Sequence, residues 1–138
     1  MIHAERLRVR TQGNCDVINI TESVAAVVRQ SGVRAGLLVV FVPGSTAGLT
    51  TIEYEPGLIQ DLKDLFERIA PGGRPYHHDM AWGDGNGHAH LRASLLGPSL
   101  SVPLADGQLT LGTWQQIVLI DFDNRPRVRE LLVQVMGE

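Results

Sequence analysis

From Ile2 to Arg10 apolar and charged residues alternate, with Leu7 and Val9 set against Arg6, Arg8 and Arg10. That two-residue period predicts a strand with one face in water. Thr11-Gln12-Gly13-Asn14 reads as a turn and Cys15 to Ile20 as the returning strand. Thr21 is a fitting helix cap, Glu22 suits the positive end of the helix dipole, and Gly32 supplies a left-handed exit after Ser31. Gly36 to Val42 reads as a buried strand, and Leu49 to Tyr54 as a strand polar on one face. Pro56 opens the clearest helix, in which Leu58, Ile59, Leu62, Leu65, Phe66 and Ile69 recur at helical spacing until Pro71-Gly72-Gly73 stops them. His88 to Leu96 fits a strand, with His88 and His90 on one face. It also fits a short helix capped by Asn86 and ended by Gly97-Pro98, and the helix is the expectation adopted. Four strands close the chain: Ser99 to Leu104, Gln108 to Leu111, Thr113 to Phe122 and, after a turn at Asp123-Asn124-Arg125-Pro126, Arg127 to Met136. Runs of strands interrupted by helices predict an α+β fold with antiparallel pairing rather than parallel βαβ units.

Composition narrows the class. A chain of 138 residues is expected to form one domain, 1–138. Its formal charge of −3 gives no attraction to nucleic acid or to an anionic membrane surface. Cys15 is the only cysteine, which excludes an intrachain disulfide framework and suits a reducing compartment. The opening Met1-Ile2-His3-Ala4-Glu5 lacks the basic and apolar regions of a signal peptide, and the apolar run Leu37 to Val42 is far too short to span a membrane. A cytoplasmic soluble protein is expected.

One stretch stands apart. Four of the five histidines fall between His77 and His90, mixed with Asp79, Asp84 and three glycines. Imidazole and carboxylate are ligands for first-row metals, and glycine lets a loop bring several donors together. Adjacent His77 and His78 are poor joint ligands, so one of them with His88 and His90 would give a three-nitrogen site with a position open for water or substrate. Asp79 or Asp84 would orient a ligating imidazole or join the set. The alternative is a group of loop histidines on a polar surface.

Other segments are candidates for binding. Pro43-Gly44-Ser45-Thr46-Ala47-Gly48 follows a buried strand and can present backbone N–H groups to an anion, although it lacks the lysine and spacing of a P-loop. Arg127 and Arg129 share a strand face, where they fit either phosphate or plain solvation. Glu53 is a candidate base or salt-bridge partner, and Gln115 a candidate polar contact beside Trp114, itself read as core or subunit interface. Cys15, with no basic neighbour in sequence, is expected to be a buried, inert thiol.

Taken together, these segments resemble the YjbQ family. The resemblance runs from Ile2 to Gly137. It rests on Gly44-Ser45-Thr46-Ala47 followed by Glu53, Tyr76-His77-His78-Asp79, Asn86 through His90, Leu95-Leu96-Gly97, Leu111-Gly112-Thr113-Trp114-Gln115 and the Arg127/Arg129 strand. It implies an α+β fold, mostly an antiparallel β-sandwich with two or three helices, assembled as a homotrimer with a histidine-rich site near a subunit boundary. Many members carry a histidine where this chain has Gly44. The family's two other histidine positions fall on His78 and His90, which leaves His88, or less readily His77, to complete the set. The implied activity is thiamine-phosphate synthesis, joining a hydroxymethylpyrimidine diphosphate to a thiazole phosphate with release of pyrophosphate. Expected roles follow: His78, His88 and His90 hold a divalent metal, zinc or, with a diphosphate substrate, magnesium. Glu53, Asp79 and Arg127 serve the chemistry, and Ser45, Thr46, Gln115 and Arg129 bind a small phosphorylated ligand. The competing expectation is a non-catalytic trimer that binds metal or ligand.

Overall fold

The computed structural model describes residues 1–138. The elements run β1 (Ile2–Thr11), β2 (Asp16–Asn19), α1 (Thr21–Ser31), β3 (Gly36–Phe41), β4 (Ala47–Ile52), α2 (Pro56–Ile69), α3 (His77–Trp82), α4 (Gly87–Leu96), β5 (Ser99–Ala105), β6 (Gln108–Leu109), β7 (Gln116–Asp121) and β8 (Arg127–Gly137). They form a five-stranded sheet in the order β1-β8-β3-β5-β6 and a three-stranded sheet in the order β2-β7-β4. Every pairing is antiparallel. The expected α+β architecture is therefore present, with four helices where two or three were expected.

The core lies between the sheets. Leu38, Val40, Leu131, Val133 and Val135 of the larger sheet meet Leu49, Ile117 and Leu119 of the smaller one, and Val24, Val27 and Val28 of α1 pack into the same cluster. A second cluster sits on the other face of the small sheet, where Val17, Val118 and Ile120 meet Phe66 of α2, Ala89 and Ala93 of α4, and Phe122. Phe66 and Phe122 meet edge to face at 4.8 Å. Strand β7 is thus buried on both sides, which is why Ile117 to Ile120 reads as an unbroken apolar run rather than an alternation.

The helices show where local chemistry overrode the expectations. Thr21 is the first residue of α1 rather than its cap: its N–H and hydroxyl both donate to Asn19 Oδ1. Helix α2 is capped by Glu55, whose carboxylate accepts from the N–H groups of Gly57 and Leu58 at 2.7 and 2.9 Å. Those two bonds hold the Glu55 carboxyl below its usual range. At the other end of α2, buried Arg92 of α4 donates from Nε to the Ala70 carbonyl and pairs with Glu67, locking α4 to α2. The adopted helical reading of residues 88–96 holds, as α4.

The outer face of the five-stranded sheet carries no helix. Its register places Ile2, Met136, Leu37 and Pro103 in one row and Arg6, Leu132, Phe41 and Ser99 in another. No helix is long and apolar enough to cross a membrane.

Strands β3 and β8 pack tightly at Gly36, where a Cβ would collide with the Met136 carbonyl oxygen. Overfilling a packed site costs about 1–3 kcal/mol. Gly36→Ala is expected at the upper end, about 3 kcal/mol, seen as a lower urea midpoint. An unchanged midpoint would contradict this close pairing.

Candidate metal centre

Helices α3 and α4 form a small corner over the three-stranded sheet. Helix α3 buries no residue, so no apolar stripe announces it. Hydrogen bonds fix it instead. Asp79 accepts from Tyr76 N–H with one oxygen and from Gly87 N–H, at the start of α4, with the other. Gly83, at φ 67°, gives the left-handed exit from α3. The connecting loop is then pinned from below: Asn124 donates from its side chain to the Asp84 carbonyl at 2.7 Å and from its backbone to Asn86 Oδ1 at 3.0 Å.

This corner brings His78, Asp84 and His90 together, with one ligand atom from each within 4.8 Å of the others. The two imidazole rings lie 4.2 Å apart. His78 Nδ1 is buried and hydrogen-bonds to nothing. Its nearest carboxylate oxygens are Asp84 Oδ1 at 3.6 Å and Asp79 Oδ1 at 3.8 Å, too far for a hydrogen bond. Donors on a tetrahedral zinc, at ~2.0–2.1 Å from the ion, stand about 3.4 Å from one another. The His78–Asp84 separation of 3.6 Å is close to that spacing, and the full set lies within 4.8 Å.

Of the expected ligands, His78 and His90 converge and His88 does not join them. His88 lies against Gly72, in the connection between α2 and α3. The reason is the helical geometry of α4, where residues two apart point roughly 200° from each other. Asp84 stands in the third place. His77 is exposed on α3. Burial, then the neighbouring His78, pushes the His90 pKa below the ordinary 6.5. Burial, then Arg92, does the same for His88. His90 is therefore held neutral, the form that ligates metal.

Behind the corner lies an ionic brace. Asp121 and Asp123 have no solvent exposure. Arg129 makes a two-pronged contact with Asp121 at 2.7 and 2.9 Å and donates from Nη2 to Thr46. Thr11 donates to Asp121, and Thr46 and Arg127 to Asp123. Burial pushes the Asp123 pKa up, but hydrogen bonds from Thr46, Arg127 and Asn86 outweigh it and hold the carboxyl below its usual range. The brace joins β1 and β8 of one sheet to β7 and the Thr46 loop of the other.

The remaining candidates divide into two groups. Gly44, Ser45 and Ala47 line a cleft of about 210 Å³ with His90, Ala93, Ser94 and Pro98. Thr46 faces the brace. Arg127 and Arg129 are paired with Asp123 and Asp121, so their charges are largely matched within the protein. Asp79 is occupied by backbone donors. Glu53 and Gln115 lie at the far end of β4: Gln115 donates to Thr51 at 2.8 Å, and Glu53 is exposed just past Ile52. An extended strand rises about 3.3 Å per residue, which puts Glu53 roughly 20 Å from Ala47. Trp114 is 73% exposed, in the turn before β7 rather than in the core. Cys15 is buried, and burial pushes its thiol pKa up, away from the reactive thiolate.

Comparison with known proteins places this arrangement. The family model described as UPF0047 protein YjbQ-like matches residues 5–138. The chain belongs to the YjbQ-like UPF0047 family. It is 39% identical to a UPF0047 protein of Archaeoglobus fulgidus over 94% of this chain and 98% of that one. It is 33% identical to the UPF0047 protein YugU of Bacillus subtilis over 95% and 97%. Its fold superposes on the crystal structure of a YbjQ-like protein of unknown function from Sulfolobus solfataricus with a TM-score of 0.95, at 32% identity, covering 100% and 99% of the two chains. A YjbQ/UPF0047 protein from Clostridium acetobutylicum gives a TM-score of 0.88 at 36% identity, over 96% and 99%.

Two outcomes test this geometry in the YjbQ-like chain. Arg129→Leu leaves Asp121 without its counter-charge. Breaking a buried pair from one side costs about 3–5 kcal/mol, so the variant should melt far below the parent; an equal midpoint would show that the brace is not structural. The second concerns pH. Unfolded histidines take up protons near 6.5, whereas folded His88 and His90 do so only lower. Between those values the unfolded chain binds more protons, so stability is full above the ordinary histidine range and falls as pH drops through it toward the folded values. Metal-free protein should melt lower at about pH 5.5 than at about pH 7.5. His90→Gln should shrink the difference, and an equal difference would remove His90 from the account.

Proposed function

We propose that the protein is a metal-dependent enzyme acting on a phosphorylated small molecule, with a divalent ion held by His78, Asp84 and His90. One observation carries the reading: three donors converge at ligand spacing while His78 Nδ1 is buried without a partner. The donor set favours zinc, because magnesium prefers all-oxygen shells and two imidazoles suit a softer ion. Three protein ligands leave a position for substrate, and the Gly44–Ser45 cleft opens beside His90. When bound, the ion would supply Lewis acidity toward a phosphoryl oxygen. His78 and His90 present their imidazoles to the ion, while the Ser45 hydroxyl and the loop backbone orient a polar group in the cleft. Family resemblance points to pyrimidine diphosphate and thiazole phosphate as substrates, with pyrophosphate leaving. The helix-free outer face of the five-stranded sheet leaves Ile2 and Phe41 uncovered, which leaves room for further copies of the chain, and family resemblance points to a homotrimer.

A second reading, a non-catalytic metal- or ligand-binding trimer, draws on a different observation. No carboxylate near the set is free to act as a base: Asp79 is bonded to backbone, Asp84 is in the set, and Glu53 is far away.

Metal content of protein purified without a histidine tag decides the first point. One zinc per chain is expected, lost in His90→Ala and Asp84→Ala and retained in His88→Ala. Pyrophosphate release from the two substrates, abolished together with the metal in His90→Ala, would support the enzyme. Undiminished release in that variant would sink it, and tight zinc binding with no turnover across phosphorylated substrates would favour the second reading.

A further inference from the structure

We infer that the Gly44–Thr46 loop and Nη1 of Arg129 form a pre-built subsite for one phosphoryl-type oxyanion, seated beside His90. This deepens the function proposed above and rests on it only for the neighbouring ion. The backbone N–H groups of Gly44, Ser45 and Thr46 donate to no acceptor in the protein. Gly44 and Ser45 are exposed, so their amides are open to an incoming ligand, while Thr46 is buried beside them. Gly44 and Ser45 line the same cleft as His90.

Arg129 points to the same place independently. Its side chain is only 10% exposed. Asp121 and Thr46 take Nε and Nη2, while Nη1 donates to nothing. That nitrogen stands 3.0 Å from where a Cβ on Gly44 would be, so it is aimed at the loop. Gly44 has φ 144°, a backbone conformation side chains rarely adopt, and the missing side chain keeps Nη1 within reach of the cleft. Asp121 and Asp123 lie behind the guanidinium groups and match their charge. The subsite therefore recognises its anion by directed donors, amide and guanidinium, rather than by excess positive charge. The exposed amides of Gly44 and Ser45, with Nη1 beside Gly44, would together suit a tetrahedral oxyanion in the cleft that His90 also lines. Free phosphate and the phosphoryl end of a phosphomonoester share this chemistry.

The test is calorimetric titration of inorganic phosphate into chelator-treated, metal-free protein. Binding is expected without metal. Gly44→Ala should weaken it about tenfold, the worth of one hydrogen bond to a charged group, and Ser45→Ala by a few-fold. His88→Ala, whose ring lies against Gly72 and not in the cleft, should leave metal-free phosphate binding nearly unchanged. Melting curves confirm that each variant folds. A tungstate soak gives a second readout that needs no variant, with anomalous density expected against the Gly44 and Ser45 amides and Arg129. Absence of phosphate binding, binding indifferent to both Gly44→Ala and Ser45→Ala, or tungstate found elsewhere would overturn the subsite. Phosphate binding intact in a protein that never takes up zinc would instead reject the metal reading alone, and zinc uptake without phosphate binding would reject the subsite alone.

Discussion

Two carboxylates with no access to water, Asp121 and Asp123, hold the rest of this molecule in register. Alone, each would be prohibitively costly to bury. The chain resolves that cost by bringing Arg127 and Arg129 of β8, Thr11 of β1 and Thr46 of the loop before β4 to them from three separate segments. Because their partners come from both sheets, the carboxylates fix how the sheets stack at this end of the sandwich. Hydrophobic packing between the sheets, being non-directional, could tolerate small slides; the ionic brace cannot.

The candidate site inherits its rigidity from that brace. Thr46 belongs to the loop lining the cleft, and Asn86 and Asn124 tie the Asp84 loop to the turn that follows Asp123. Helix α4 completes the support: it lies close on β4, its small residues Ala89 and Ala93 join the cluster on that face of the small sheet, and Arg92 fastens it to the end of α2. His90 is thus carried on a helix held from two sides. His78, on a helix with no buried residue, depends on Asp79 for its position. The two anchoring imidazoles therefore differ in mechanical support, and the α3 side is where the set can close on an ion.

Much of the scaffold was legible because its cause is local. Alternation in β1, the apolar run of β3 and the stripe of α2 each reflect burial of one face or both, which periodicity reports directly. Helix α3 was not legible, because its residues bury nothing and its helix is imposed by Asp79 bonds to Tyr76 and Gly87. Arg127 and Arg129 showed themselves as a polar face, but the carboxylates facing them come from residues in and after β7, and no spacing within β8 names those partners. In the site, the histidine cluster suggested metal chemistry, and the structure brings two of its members, His78 and His90, side by side. The third donor was harder. Histidine count favoured His88, whereas the turn of α4 aims His88 at Gly72 and the Gly83–Gly85 loop brings in Asp84. The sequence signal for Asp84 was its glycine-flanked position midway between the two histidines, where a loop must fold back. Glu53 and Gln115 share family motifs with the site, but the length of β4 separates them from it within one chain.

The identity of the ligand set decides whether His78, Asp84 and His90 hold an ion together. X-ray absorption at the zinc edge, on tag-free protein loaded with one equivalent of zinc, reports the number of imidazoles directly. The geometry requires two imidazole ligands with oxygen completing the shell, unchanged in His88→Ala and reduced to one imidazole in His90→Ala. A spectrum showing three imidazoles that drops to two in His88→Ala, or zinc that does not bind stoichiometrically, would contradict it.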